Sequence, residues 1–394
     1  MRRVAGVTAF LLALLVLVPV DAVAIPAFAR RYRVSCQLCH NPVPKLSAFG
    51  VTFAGNGYRM AAQEPPRDTI DTGDPLLNLA SSLPLAMRLD AYAQAFSKGK
   101  ASTDFETPYI IKLLASGPIS KTFSYYMYVN LLERGEFGGF EDAMLIANDI
   151  FGAPVDVSIG QFQVSDVLFK RELRLMFEDY AIYRTNVGDE PVNLTYDRGV
   201  LASADLLGFT VTGQLLNGNG IGPAESDRRF DDNKFKNVAG SISREITGFL
   251  RLGVFGYYGK NTSDDIENEL TMFGGDATIA AGPVEVNAQF IHREDSNPLF
   301  LQDSRRVKTD GGFVEAIIRP QGSRWHGYAL YNRVSATEPI LNPRLGTGSD
   351  VGLYQSIAGG AGYLIMRNLK FTGEGAWLTE QETMRWTLGF VTAF

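Results

Sequence analysis

From about Leu83 to the last residue, apolar and polar side chains alternate with a period of two. In "LPLAMRLDAYAQAF", Leu85, Met87, Leu89, Ala91 and Ala93 share one face, and Arg88, Asp90, Tyr92 and Gln94 share the other. "PVEVNAQF" sets Val284, Val286, Ala288 and Phe290 against Glu285, Asn287 and Gln289, and "FVEAIIR" sets Val314, Ala316 and Ile318 against Glu315 and Arg319. No helical period of any length intervenes. The pattern predicts about sixteen half-buried strands between Leu83 and Phe394.

Alternation alone also fits a soluble sandwich. Three features select a barrel in lipid. Connections alternate between short ones, "GPIS" (117–120) and "MRNL" (366–369), and long polar ones, "GPAESDRRFDDNK" (222–234) and "NTSDDIENE" (261–269). Brief turns on one side and longer loops on the other are the habit of outer-membrane barrels. The charged face lacks an apolar partner layer and calls for a water-filled lumen. The chain closes on "MRWTLGFVTAF", with Trp386, Leu388, Phe390, Thr392 and Phe394 in alternation. This ending resembles the C-terminal strand of outer-membrane β-barrels, whose final aromatic residue is an assembly signal. A sheet in hydrocarbon must close, because an open edge leaves backbone groups unpaired.

One interruption stands out. Residues 160–185, "GQFQVSDVLFKRELRLMFEDYAIYRT", carry Lys170, Arg171 and Arg174. Two readings stay open: an inward loop that narrows the lumen with cations, and a solvated outer loop. Its flanks, "GQF" and "YDRGV", resemble short segments of phosphate-selective porins.

The first residues differ from the rest. Arg2 and Arg3 precede an apolar run from about Phe10 to Val20, and Ala22-Val23-Ala24 follows. That order is a secretory signal, residues 1–24, cut after Ala24. The run is shorter than the ~20 apolar residues of a membrane-spanning helix. Removing Arg2, Arg3 and Asp21 leaves 35 basic and 42 acidic side chains, a net charge of −7. An acidic exported chain is a poor match to nucleic acid.

Two cysteines in 394 residues allow at most one internal disulfide. Both fall in "CQLCH", and Cys-x-x-Cys-His is the attachment signature of a c-type haem. Cys36 and Cys39 would bind the porphyrin edge through their sulfurs, and His40 would reach the iron as proximal ligand. A redox-active disulfide and a zinc site compete with this reading, although zinc would need further Cys or His ligands. His292 and His326 lie far along the chain. Downstream, a helix is expected from Pro44, with Leu46, Phe49 and Phe53 on one side and Asn56-Gly57 as its stop. Met60 is the nearest thioether for the second axial position, with Tyr58 and Lys45 as weaker candidates. Arg30, Arg31 and Arg33 could pair with haem propionates or form a solvated basic run. A module of residues 25–60 is too small to cover a haem alone. Residues 61–82 read as a linker rich in Pro, Asp and Gly, and 83–394 as the barrel.

"AIPAFARRYRVSCQLCHNPVPKLSAFG", "NGYRM" and the strand-rich remainder ending in Phe394 together resemble the fused monohaem cytochrome c–porin family of Gram-negative outer membranes. That family includes outer-membrane iron oxidases. The resemblance implies an all-β transmembrane antiparallel barrel with a small α-helical haem module, one covalent haem c, and an outer-membrane location. It implies electrons passing from an extracellular donor, with ferrous iron as one candidate, to a periplasmic carrier protein. An iron-oxidase-like oxidoreductase activity is left open. The alternative is a solute-selective porin whose haem module is a plug or sensor.

Overall fold

The computed structural model describes residues 27–394, except 62–63, 68, 78, 82–83, 101, 225–226, 232 and 344–349. The export signal expected over 1–24 lies outside the described residues.

Sixteen strands form one closed barrel. They are β1 (Leu85–Phe96), β2 (Thr103–Pro118), β3 (Phe123–Glu133), β4 (Gly139–Ala147), β5 (Val155–Gln163), β6 (Tyr196–Leu206), β7 (Phe209–Leu216) and β8 (Asn237–Thr247). The circuit continues with β9 (Leu250–Ser263), β10 (Ile266–Ala281), β11 (Val284–Asp295), β12 (Val307–Ile318), β13 (Trp325–Ala336), β14 (Leu353–Met366), β15 (Leu369–Leu378) and β16 (Thr383–Ala393). Each pairs antiparallel with the next, and β16 closes on β1. No edge is left open, as the hydrocarbon layer requires.

The alternation has the expected sense. On β16, Trp386, Leu388 and Phe390 are exposed outward, while Arg385, Thr387 and Val391 are buried inward. On β11, Val284 and Phe290 face out, and Asn287 and Gln289 are buried inside. On β9, Leu252, Val254 and Tyr258 face out, and Phe255, Tyr257 and Asn261 face in. An apolar outer face on a closed sheet has no aqueous role, so lipid is its solvent.

The two rims differ. At one, β6–β7, β8–β9, β10–β11 and β14–β15 are joined by two residues each. At the other, residues 164–195 and 217–236 are long connections. Asn261–Glu269, expected as a long loop, is mostly strand. β9 runs to Ser263 and β10 starts at Ile266, so Asp264-Asp265 is a tight turn at the tip of a tall hairpin. Both aspartates have positive φ, which that turn type requires.

The lumen is not simply water. Residues 164–195 fold inward and pack on the barrel's inner wall, with Tyr183 and Ala181 fully buried. The Tyr180 ring stacks on Phe313 at 4.1 Å, and its hydroxyl donates to Glu315 Oε1 at 2.9 Å. Tyr354 Oη and Arg385 Nη2 each donate to Glu178 at 2.6 Å. The cations of this loop meet carboxylates rather than open water. Lys170 pairs with Asp166 at 3.0 Å. Asp179 lies 2.8, 3.1 and 3.6 Å from Arg171, Arg184 and Arg174. The loop constricts, and it is internally neutralised. Asp179→Asn is therefore expected to release positive charge into the lumen and shift ion selectivity toward anions, measured as a reversal-potential change in planar bilayers.

Among the described residues, three short helices precede the barrel: α1 (Ala27–Tyr32), α2 (Cys36–Cys39) and α3 (Ala48–Gly55). α3 begins at an N-cap, Ser47, whose Oγ accepts from the Gly50 N–H at 3.2 Å. The start expected at Pro44 is therefore four residues too early, since the helix begins at Ala48. Residues 40–46 instead double back as a small loop closed by a bridge between His40 and Leu46. The stop at Asn56-Gly57 is as expected, with Gly57 at φ +62°. Within the segment read as a linker, Thr69–Ile70 pairs with Leu79–Ala80.

Candidate functional site

The helical segment sits at the rim with the short turns. Arg59 is its anchor. The side chain is 1 % exposed and donates to Ser120 O (2.7 Å), Phe123 O (3.1 Å), Asn148 Oδ1 (3.3 Å) and its own Asn56 O (3.2 Å). Asn148 returns a bond from Nδ2 to Gly55 O at 3.1 Å. On the same side, Tyr58 stacks between Phe28 (5.1 Å) and Tyr126 of β3 (5.5 Å). Lys45 meets Glu285 at 2.8 Å, and Arg319 donates to Asn41 O, both from the β10–β13 side. The module is thus fastened on both sides of the mouth. The cover that so short a segment lacks by itself comes from the barrel.

Cys36 and Cys39 occupy one turn, three residues apart, and both are free thiols of intermediate exposure. Ser35 caps that turn, and the His40 N–H closes it on Cys36 O at 2.8 Å. α3 crosses close behind. A Cβ at Gly50 would lie 2.2 Å from Cys39 O, a backbone atom that cannot swing away. Gly50→Ala is expected to destabilise the module by about 1–3 kcal/mol. The check is limited proteolysis, with residues 27–60 cut earlier while the heat-resistant barrel band stays unchanged.

His40 Nδ1 lies 2.6 Å from Pro44 O. A carbonyl oxygen only accepts, so Nδ1 carries the hydrogen and Nε2 keeps its lone pair. Burial holds the imidazole below its usual pKa, partly offset by that hydrogen bond. The ring is therefore neutral at pH 7, which is the metal-binding form. Burial also pushes both thiols up. Among the described residues, no group of three or more His, Cys, Asp or Glu side chains gathers as a metal cage, so the zinc reading gains no ligands.

In front of His40 is a cavity of about 760 Å³. Its module side is Gln37, His40 and Asn41, and its barrel side includes Arg319, Arg324, Trp325, His326 and Lys370. That volume is within the ~300–1,000 Å³ of cofactor sites. Two thiols on one turn, an oriented neutral imidazole beside them and a cavity bordered by cations are the parts a c-type haem would use, with His40 rather than Cys36 or Cys39 among the residues lining that cavity. The cations lining this cavity are Arg319, Arg324 and Lys370, and Arg30, Arg31 and Arg33 are not among its lining residues. Arg30 donates to Leu85 O at 2.9 Å, Arg31 lies against Gly117, and Arg33 is exposed.

Met60 is not brought to this cavity. It follows Arg59, which is fastened to the β2–β3 and β4–β5 turns, and its N–H donates to Glu64 at 3.0 Å. Tyr58 and Lys45 are engaged elsewhere, as described. His326 does line the cavity. Sequence reasoning passed over it because its distance along the chain concealed its place at the foot of β13. The available signal was its position in the alternation "WHGYAL", which turns His326 inward with Tyr328.

A second cavity, about 210 Å³, lies at the constriction between Arg88, Lys112, Glu141, Arg171, Glu172 and Tyr196. Lys370, 3 % exposed, borders both cavities. Lys370 is thus common to the wall of the space before His40 and the wall of the narrowed lumen.

No protein-family model matches the chain, and no curated protein matches it in sequence. Solved structures do match, through the fold. The anion-selective porin of Comamonas acidovorans aligns with a TM-score of 0.58 at 10% identity, over 79% of this chain and 99% of that one. The outer-membrane protein OmpT of Vibrio cholerae, in its trimer form, gives 0.55 at 12% identity, over 79% and 99%. OmpF of Salmonella typhi gives 0.55 at 13% identity, over 79% and 97%. The chain thus has the sixteen-strand architecture of outer-membrane porins. With its lipid-facing outer surface, that architecture gives an outer-membrane location.

Proposed function

We propose that this chain is an outer-membrane cytochrome–porin, which holds one covalent haem c in the short-turn mouth of its barrel and passes electrons between an extracellular donor and a periplasmic carrier. The single observation that carries the proposal is that two cavities share Lys370 in their walls, one lined also by His40 and the other at the lumenal constriction. The hydrocarbon layer is about 30 Å thick. A redox centre hanging below it would be out of reach of an external reductant. A centre lodged in the mouth is reached from the periplasmic side directly and from outside through the lumen.

The haem, when bound, supplies a one-electron couple. The chain does the rest. Cys36 and Cys39 would hold the porphyrin through their sulfurs, His40 would offer its Nε2 lone pair to the iron, and the Pro44 carbonyl keeps that imidazole in one tautomer. Arg319 and Arg324 would balance the propionates. Arg59 and Tyr126 keep the module seated, and the inward loop admits only small donors to the constriction. Glu141 and Glu172 there are paired with Lys112 and Arg171, which leaves a constriction richer in basic than in acidic side chains.

The test is a redox-difference spectrum of outer-membrane fractions, using reductants that cannot cross a membrane. Reduction of a covalently held c-type haem by an external reductant is the expected outcome. Its absence from intact membranes, with reduction appearing only after solubilisation, would overturn the transfer direction. The solute-porin reading draws on the same fold and the constriction. It expects solute flux to change when both thiols, and with them the plug, are removed.

A further inference from the structure

We propose that His326 of β13 is the second axial ligand of the haem iron held by His40, so that the iron joins the module to the barrel wall. The inference rests on the haem reading above and goes beyond it by assigning the distal position to a residue of the barrel.

Three observations converge. First, His326 is 5 % exposed and its Nε2 has no hydrogen-bond partner. Buried imidazole nitrogens are ordinarily paired, so a bare one asks for an occupant. Second, the ring leans over Gly362, its partner on β14. A Cβ there would come within 2.3 Å of Cε1 and 2.5 Å of Nε2. The glycine is the notch that gives the ring its room. Third, His326 and His40 line one cavity, from the barrel side and from the module side. His40 has its Nδ1 tied to Pro44 O, and His326 Nε2 has no partner, so His40, and His326 in its Nδ1–H tautomer, each present a nitrogen lone pair suited to iron.

The assignment has a structural consequence. Met60 stays with the module whatever the module does, whereas His326 is available only when module and barrel are docked. Axial ligation by His326 therefore reports docking. Two imidazoles also give a lower reduction potential than an imidazole and a thioether, since it is the Met ligand that raises it.

The test uses the full chain, native and with His326→Ala, His326→Met and Gly362→Ala. Covalent haem is read by its staining after denaturing electrophoresis, and ligation by electronic absorption and electron paramagnetic resonance of the ferric protein. The native protein is expected to be low-spin with two nitrogen ligands. His326→Ala should keep the same covalent haem content, turn high-spin, and return to low-spin when imidazole is added. His326→Met should stay low-spin but gain the sulfur-to-iron charge-transfer band, and Gly362→Ala should become partly high-spin with His326 still present. Native-like spectra from all three variants would overturn the ligand while leaving the haem in place. A native chain without covalent haem would overturn the haem reading itself, and the ligand with it.

Discussion

Replacing both thiols, Cys36→Ser with Cys39→Ser, is expected to abolish covalent haem while leaving a barrel that inserts and closes normally. The two residues lie on one helical turn at the mouth, and neither contributes to the sixteen-strand circuit. Barrel integrity is read from heat-modifiable migration, and the haem from staining and absorption. Reduction by an external, membrane-impermeant reductant should disappear entirely, because no other redox cofactor is assigned to the chain. Single-channel conductance should stay at its native value, since Arg59 and Lys45 still seat the module. Loss of conductance together with unchanged redox behaviour would instead favour the solute-porin reading.

The second large effect is expected from Arg59→Ala. This guanidinium reaches two carbonyls of the β2–β3 connection, Ser120 O and Phe123 O, and the Asn148 side chain. Hydrogen bonds to a charged group contribute roughly 1.5–3 kcal/mol each, and water entering the mouth recovers part of that. A net loss of about 3 kcal/mol of docking free energy would change the docked-to-undocked ratio by roughly a hundredfold. Conductance should then rise as the mouth opens, and residues 61–82 should become an early protease site. Arg59→Lys should fall between, because one ammonium cannot reach both sides of the connection.

What the sequence shows and what it conceals divide along physical lines. A period-two pattern is local, so the faces of β1, β11, β12 and β16 are legible residue by residue. The number of strands and the short turns follow from the same signal. Turn length at the far rim is less legible. "NTSDDIENE" is polar enough for a loop, yet it forms the tip of a hairpin, because exposed strand tips need no apolar face. The inward loop shows its cations, Lys170, Arg171 and Arg174, but Asp179 neutralises the two arginines through folding that no spacing encodes. Around the haem motif, Cys36, Cys39 and His40 are visible because they are contiguous. The cavity beside His40 is built from turns scattered over the second half of the chain, so Arg319, Arg324 and Lys370 give no local sign and the alternation shows only that His326 faces inward. Met60 drew attention through proximity in sequence, and the fold carries it toward the opposite turns.

The most direct measurement is electron transfer across a sealed bilayer. The protein would be reconstituted into vesicles that enclose an oxidised soluble cytochrome, with an impermeant reductant added outside. The account expects the enclosed cytochrome to be reduced by the native chain and not by the Cys36→Ser/Cys39→Ser variant. Equal rates with the two proteins, or no reduction by a native chain carrying its full complement of haem, would contradict it.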